Sequence, residues 1–199
     1  MLKDSPLHMS NLARITGEYK SMMLFTFFVA SLMGANEHGT KSDTASIRLA
    51  PQSSQDIPLL VRILTPVLKA SVCKRSVHAL QECMEALGGV GYLDNSENEP
   101  INVARLYRDC CVLSIWEGTT DVLASDTLRV LKGKSGEEVL NALDRWITTS
   151  LRNSASQYPG HQTALAAFWS QLRPSISGST PEHLLPKARD LTFDIANVI

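Results

Sequence analysis

The run Leu113-Ser114-Ile115-Trp116-Glu117-Gly118-Thr119-Thr120 sets a carboxylate beside an aromatic ring and directly before a Gly-Thr break. A carboxylate so placed can work as a general base. Leu113, Ile115 and Trp116 precede it, so its neighbourhood should be poor in water, which penalises the charged form and raises its proton affinity. A base that removes a proton from carbon needs that tuning. Gly118 lets the backbone turn closely around a ligand, while Thr119 and Thr120 offer hydroxyl donors and a cap for a helix beginning at Asp121. The plainer alternative is a Glu at the edge of the core that ends one helix before the cap of the next.

Upstream, Glu85-Ala86-Leu87-Gly88-Gly89-Val90-Gly91-Tyr92 closes a long helical pattern with Gly88, Gly89 and Gly91 crowded together. Such a stretch strips away side chains, so backbone N–H groups can approach a ligand closely, and phosphates suit that environment. A helix C-cap followed by a turn is the other reading. Between the two segments lies Arg105-Leu106-Tyr107-Arg108-Asp109, in which Arg108 and Asp109 are expected to pair and fix the helix before the base.

Glycine cluster, Arg-Asp segment and aromatic-Glu-Gly-Thr run, in that order and spacing, resemble the closing half of the acyl-CoA dehydrogenase family. The resemblance runs from about Ser5 to Lys132. Ser5-Pro6-Leu7-His8 and Leu64-Thr65-Pro66-Val67-Leu68-Lys69-Ala70 are similar to the branch that includes the bacterial alkylation-response flavoproteins. The resemblance implies oxidation of an acyl-CoA to its 2,3-enoyl-CoA, with FAD as cofactor and acyl-CoA as substrate. It makes Glu117 the catalytic position that takes the proton beside the thioester, its backbone N–H serving the thioester carbonyl as well. Thr119 matches a position near the flavin diphosphate, and Asp121 a polar FAD contact. Glu85, Gly88, Gly89 and Gly91 match the cluster that holds the adenosine end of FAD from a neighbouring subunit, although the family usually opens it with Gln. Glu85 can accept hydrogen bonds there but cannot donate them.

Members of that family place an N-terminal helical domain and a middle β-domain ahead of such a segment, and the middle domain holds the flavin ring and part of the acyl-CoA. The chain therefore reads as a partial protein, incomplete as an enzyme, for which tight FAD binding on its own is not expected. Two other readings stand beside this one. The chain could be a catalytically silent helical oligomerisation module, or a nucleic-acid-associated, alkylation-response-like protein.

The positioning elements follow from periodicity and breakers. Helices are expected at about 8–36, 55–87, 103–116, 119–132, 135–153, 160–172 and 181–198, with no convincing strand, which predicts an all-α helical bundle. Residues 1–132 form the expected bundle of the family's C-terminal type, and 133–199 an additional helical segment. Gly34 to Ser54 reads as a polar loop, Asn95 to Pro100 as a solvated excursion, and Ser154 to Gly160 as a polar turn. Pro58 fits a first turn, whereas Pro66 should kink or divide the second helix. Met22 to Met33 is the most apolar stretch, too short to span a bilayer, and reads as an almost fully buried central helix. Together with the second helix it offers enough apolar surface to predict a homo-oligomer.

Composition narrows the remaining classes. The 199 residues are 44% hydrophobic, enough for a sizeable core, and the formal net charge of −1 gives no broad attraction to nucleic acid or an anionic membrane. Cys73, Cys83, Cys110 and Cys111 lack paired spacing, which points to reduced thiols in an intracellular compartment, whether mitochondrial, peroxisomal or cytoplasmic. The five histidines are scattered, so no metal site is expected.

Overall fold

Proline, glycine and polar caps punctuate this chain into helices. In the computed structural model, residues 2–39, 51, 53–94, 101–154 and 159–199 are described. Among them there is no strand. After a short 3-10 turn at Leu2–Asp4 come α1 (Pro6–His38), α2 (Asp56–Ala86), α3 (Gly89–Tyr92), α4 (Val103–Leu113) and α5 (Thr120–Lys132). Next are α6 (Gly136–Ser154), α7 (Pro159–Gly178), α8 (Pro181–Leu184), a 3-10 turn at Leu185–Lys187, and α9 (Ala188–Val198). The all-α expectation holds. The centres of the expected Gly34–Ser54 and Ser154–Gly160 loops, and the whole of Asn95–Pro100, lie outside the described residues.

The boundaries that differ have local causes. α4 stops at Leu113 rather than near Trp116, because Ser114 to Gly118 leave the helix in a turn. Pro186 has no N–H and its ring crowds the preceding turn, so the single helix expected over 181–198 becomes α8, a 3-10 turn and α9. α7 runs past the expected end at Leu172 to Gly178 with Pro174 inside it. α2 likewise continues undivided through Pro66, which is buried. Tertiary packing of that side of α2 outweighs the one backbone hydrogen bond that proline removes.

α2 is the axis of the molecule: α1, α4, α5, α6 and α9 all pack on it. Leu60, Ile63, Leu64 and Val67 of α2 are buried with Leu128 and Leu131 of α5, Leu140, Leu143 and Ile147 of α6, Ile176 of α7 and Ile195 of α9. The helices beyond Gly133 thus close over the same core as those before it. Phe28 of α1 stacks on Trp146 of α6, with ring centroids 4.8 Å apart. The expectation for Met22–Met33 requires correction. Met22, Val29 and Leu32 enter the core, but Leu24 is 67% and Phe27 69% exposed, because α1 packs along α2 on one side and leaves its other face uncovered. No helix is long and apolar enough to cross a membrane among the described residues.

Candidate functional site

The Glu117 turn joins α4 to α5. Ser114, Ile115 and Trp116 N–H groups bond back to carbonyls of Cys111 and Val112, winding α4 down into a tight turn. Glu117 then takes φ 58°, the one positive φ among described residues other than glycine. Such a conformation costs an L-residue roughly 1–2 kcal/mol. Gly118 follows at φ 113°, where only glycine is unstrained, and a Cβ there would sit 3.3 Å from Leu123. Thr119 restores extended backbone and caps α5, its hydroxyl oxygen accepting from the Val122 N–H at 3.5 Å. The expected cap is therefore present, with the helix starting at Thr120 instead of Asp121.

The water-poor neighbourhood expected for Glu117 is not present among the described residues. Glu117 is exposed, and Ile115 and Trp116 are 61% and 55% exposed. The turn lies on the outside of the α2–α4–α5 face, and no element of the described residues packs over it. Val112, Leu113 and Val122 are also exposed around it, so an apolar surface surrounds the carboxylate.

From beneath, the turn is held by α2. Lys69 donates from Nζ to the carbonyl oxygens of Trp116 at 2.6 Å and Gly118 at 2.5 Å. One turn further along α2, burial pushes the Cys73 thiol upward, the Lys69 charge lowers it and the Glu117 charge raises it. Cys110 of α4 is buried nearby, and its thiol is pushed up by burial and then by Cys73 and Cys111. All four cysteines are free thiols.

Asp121 adjoins Glu117 in the first turn of α5, but its carboxylate receives Arg189 Nε at 2.6 Å. This link to α9 was invisible in the motif. The expected Arg108–Asp109 pair is also corrected: Asp109 faces Arg105 at 3.8 Å, because residues one turn apart share a helix face and adjacent ones do not.

The glycine cluster turns out to be a helix end. Gly88 takes φ 67° just past α2, and its N–H bonds to the Glu85 carbonyl at 2.8 Å. Gly91 N–H bonds to the Gly88 carbonyl at 3.0 Å. Gly91 is buried, and a Cβ on it would fall 2.2 Å from the Met84 carbonyl oxygen, so close helix packing demands glycine there. Gly88 and Gly89 are different, being exposed with open space where a Cβ would be. Glu85 is exposed on the last turn of α2. From Lys69 to Glu85 is sixteen residues of one helix, about 24 Å at 1.5 Å per residue. The structure thus brings Glu117, Thr119 and Asp121 together, and places Glu85, Gly88, Gly89 and Gly91 at a distant end of α2.

The acyl-CoA dehydrogenase C-terminal domain model matches residues 2–132, well over half of the sequence. The chain belongs to the acyl-CoA dehydrogenase family. Acyl-CoA dehydrogenase family member 11 of Caenorhabditis elegans is 34% identical over 204 aligned positions, which cover 97% of this chain and 30% of that protein. The putative acyl-CoA dehydrogenase AidB of Escherichia coli is 44% identical over 78 residues, covering 39% of this chain and 14% of that one. A crystal structure of the nematode ACDH-11 in complex with C11-CoA superposes with a TM-score of 0.79 at 30% identity, over 98% of this chain and 31% of the other. The chain thus spans about a third or less of the length of these relatives.

Proposed function

We propose that this chain is the part of an FAD-dependent acyl-CoA dehydrogenase that carries the base, with Glu117 removing the proton at C2 of an acyl-CoA on the way to the 2,3-enoyl-CoA. The observation that supports it most directly is the Glu117 turn: an exposed carboxylate on a left-handed backbone, ringed by apolar side chains and held from below by Lys69. An exposed apolar ring around a carboxylate needs a cover. Closure by acyl chain or protein would exclude water and raise the proton affinity of Glu117, which a carbon-acid base requires.

The residues present fit one half of FAD. The N-terminus of α5, exposed at Thr119 while Thr120 turns into the core, offers the positive end of a thirteen-residue helix to a diphosphate. Gly88 and Gly89 offer uncovered backbone at the other end of α2, too far along the helix to serve the same cofactor molecule as Glu117 in a compact site. That separation supports a two-chain arrangement in which Glu85 to Gly91 meet the adenosine of a cofactor bound in a second subunit. Asp121 would have to share its carboxylate with Arg189. FAD, when bound, would supply the two-electron acceptor, its ring held by parts of the longer protein rather than by the Glu117 turn.

The test is a chimaera in which residues 2–199 replace the matching third of the nematode relative, assayed with C11-CoA and an artificial electron acceptor. Glu117→Gln keeps size and hydrogen bonding but cannot accept the proton, so enoyl-CoA formation should fall by several orders of magnitude. Undiminished turnover in that variant would move the base elsewhere.

A further inference from the structure

Lys69 makes an unusual contact: one ammonium group binds the two carbonyls that immediately bracket the proposed base. Two carbonyl oxygens aimed at one point repel each other, and a cation between them converts the repulsion into chelation. The two oxygens belong to Trp116 and Gly118, so both peptide planes adjoining Glu117 are fixed by a side chain almost fifty positions away in the sequence. Between those planes, Glu117 is held at φ 58°. A left-handed backbone of this kind persists only where its surroundings over-determine it. Within the turn itself, the backbone bonds end at the Trp116 N–H, which reaches the Val112 carbonyl at 3.2 Å.

We propose that Lys69 is the positioning residue of Glu117: by chelating the Trp116 and Gly118 carbonyls it holds the base in its left-handed conformation and so fixes where the carboxylate is presented. The catalytic part of this inference rests on the reading of Glu117 as the base; the conformational part does not. α2 is the most deeply packed helix of the molecule and α5 is held to it through its own core side chains, so Lys69 ties a surface turn to the most rigid element available. Lys69 itself is only half-buried, which lets it act at the border between core and turn. Cys73, one turn on, senses the charges of both Lys69 and Glu117, which places all three groups in one neighbourhood.

Two measurements on the 199-residue chain test the clamp. In Lys69→Met, amide hydrogen exchange at Ser114, Ile115 and Trp116, whose N–H groups bond back to the Cys111 and Val112 carbonyls, should accelerate by about tenfold or more, the factor by which a left-handed L-residue is disfavoured, while amides of α6 and α9 keep their rates. Unfolding midpoints should also couple. Glycine adopts φ 58° without strain, so only in the native background does release of the turn relieve strain, and Lys69→Met should lower stability distinctly less there than in a Glu117→Gly background. Equal losses in both backgrounds, or unchanged exchange at the turn, would overturn the clamp. Lys69→Gln, neutral but polar, replaces Met in the same cycle should Lys69→Met fail to fold.

In the chimaera, Lys69→Met should lower kcat while leaving KM for C11-CoA in place, since substrate is still bound but the base is misaligned. An unchanged kcat there, alongside an inactive Glu117→Gln, would remove Lys69 from the reaction and leave Glu117 in it. An active Glu117→Gln would instead sink the base assignment and leave the exchange and coupling results standing.

Discussion

At Gly91 and Gly118 the sequence motif and the packing give two different reasons for one residue type. A motif reading assigns the glycines of residues 88–91 to phosphate approach, but Gly91 is glycine because the Met84 carbonyl occupies the space of a side chain. Gly118 is glycine because its φ of 113° excludes others. Gly89 has neither constraint, which makes it the position where a ligand contact is the better account. Substitution by Ala separates these reasons. Gly91→Ala must displace backbone and should lower stability by more than about 2 kcal/mol, as overpacking and strain do. Gly118→Ala should cost about 1–3 kcal/mol from its backbone alone. Gly89→Ala, in a helical position with open space, should be neutral or stabilise by up to about 1 kcal/mol. Urea midpoints of the three variants check the order, and equal losses at Gly89 and Gly91 would contradict it. The Gly118 break and the Thr119 cap were legible from residue types, whereas the exposure of Glu117, its left-handed φ and the Lys69 contacts were not. Lys69 stands in the sequence only as part of the Leu64–Ala70 run that resembles the alkylation-response branch, and nothing in its spacing joins it to a turn almost fifty positions on.

At the scale of elements, periodicity revealed the long helices but not the contacts that register them. Arg62 of α2 donates to both carboxylate oxygens of Asp126 of α5 at 2.8 Å, and Arg129 donates to one of them from both Nε and Nη2. Sixty-four positions separate Arg62 from Asp126, so no local pattern could announce the pair. The Arg62 hydrogen bonds hold the Asp126 carboxyl down at about 2, against an ordinary 3.8. Because the folded value lies below the unfolded one, this stabilisation is complete above about pH 4 and is lost as pH falls through 3.8 towards 2. Asp126→Asn should therefore lower the urea midpoint at neutral pH and flatten its decline across that acid window. Asp194 of α9 has the opposite sign: burial, helped by the Asp190 charge, pushes its carboxyl up. Its ionised form thus opposes folding at neutral pH, and the same titration series on Asp194→Asn should show a raised midpoint at pH 7. A decline in Asp126→Asn as steep as in the native protein would assign the acid sensitivity to other carboxylates.

For the molecule as a whole, the apolar surface left open lies in two places. Ile115, Trp116 and Val122 lie open around the turn, and Leu24 and Phe27 open along α1. The sequence predicted buried sites at both places because it reported apolarity and could not report whether the covering surface belongs to this chain. The two exposed areas lead to one experiment. An uncovered apolar face on a long helix favours association with a second copy, and the proposed two-chain FAD site requires one. Against that, the proposed FAD contact at the start of α5 is limited to the diphosphate, so the ring would add little to binding by this chain. Size-exclusion chromatography with light scattering and visible absorbance reads both properties at once. At micromolar concentration the chain should elute with the mass of a dimer or more, without a flavin band, and remain colourless after incubation with FAD and desalting. Retention through that step requires a dissociation constant below about a micromolar, or roughly −8 kcal/mol. Each missing 1.4 kcal/mol weakens binding about tenfold, so losing the ring contacts alone puts the affinity well beyond that limit. A stoichiometric flavin band would show that these helices form a full FAD site and would overturn the reading of a divided one. A colourless monomer would withdraw the second subunit from the argument while leaving the Glu117 turn untouched.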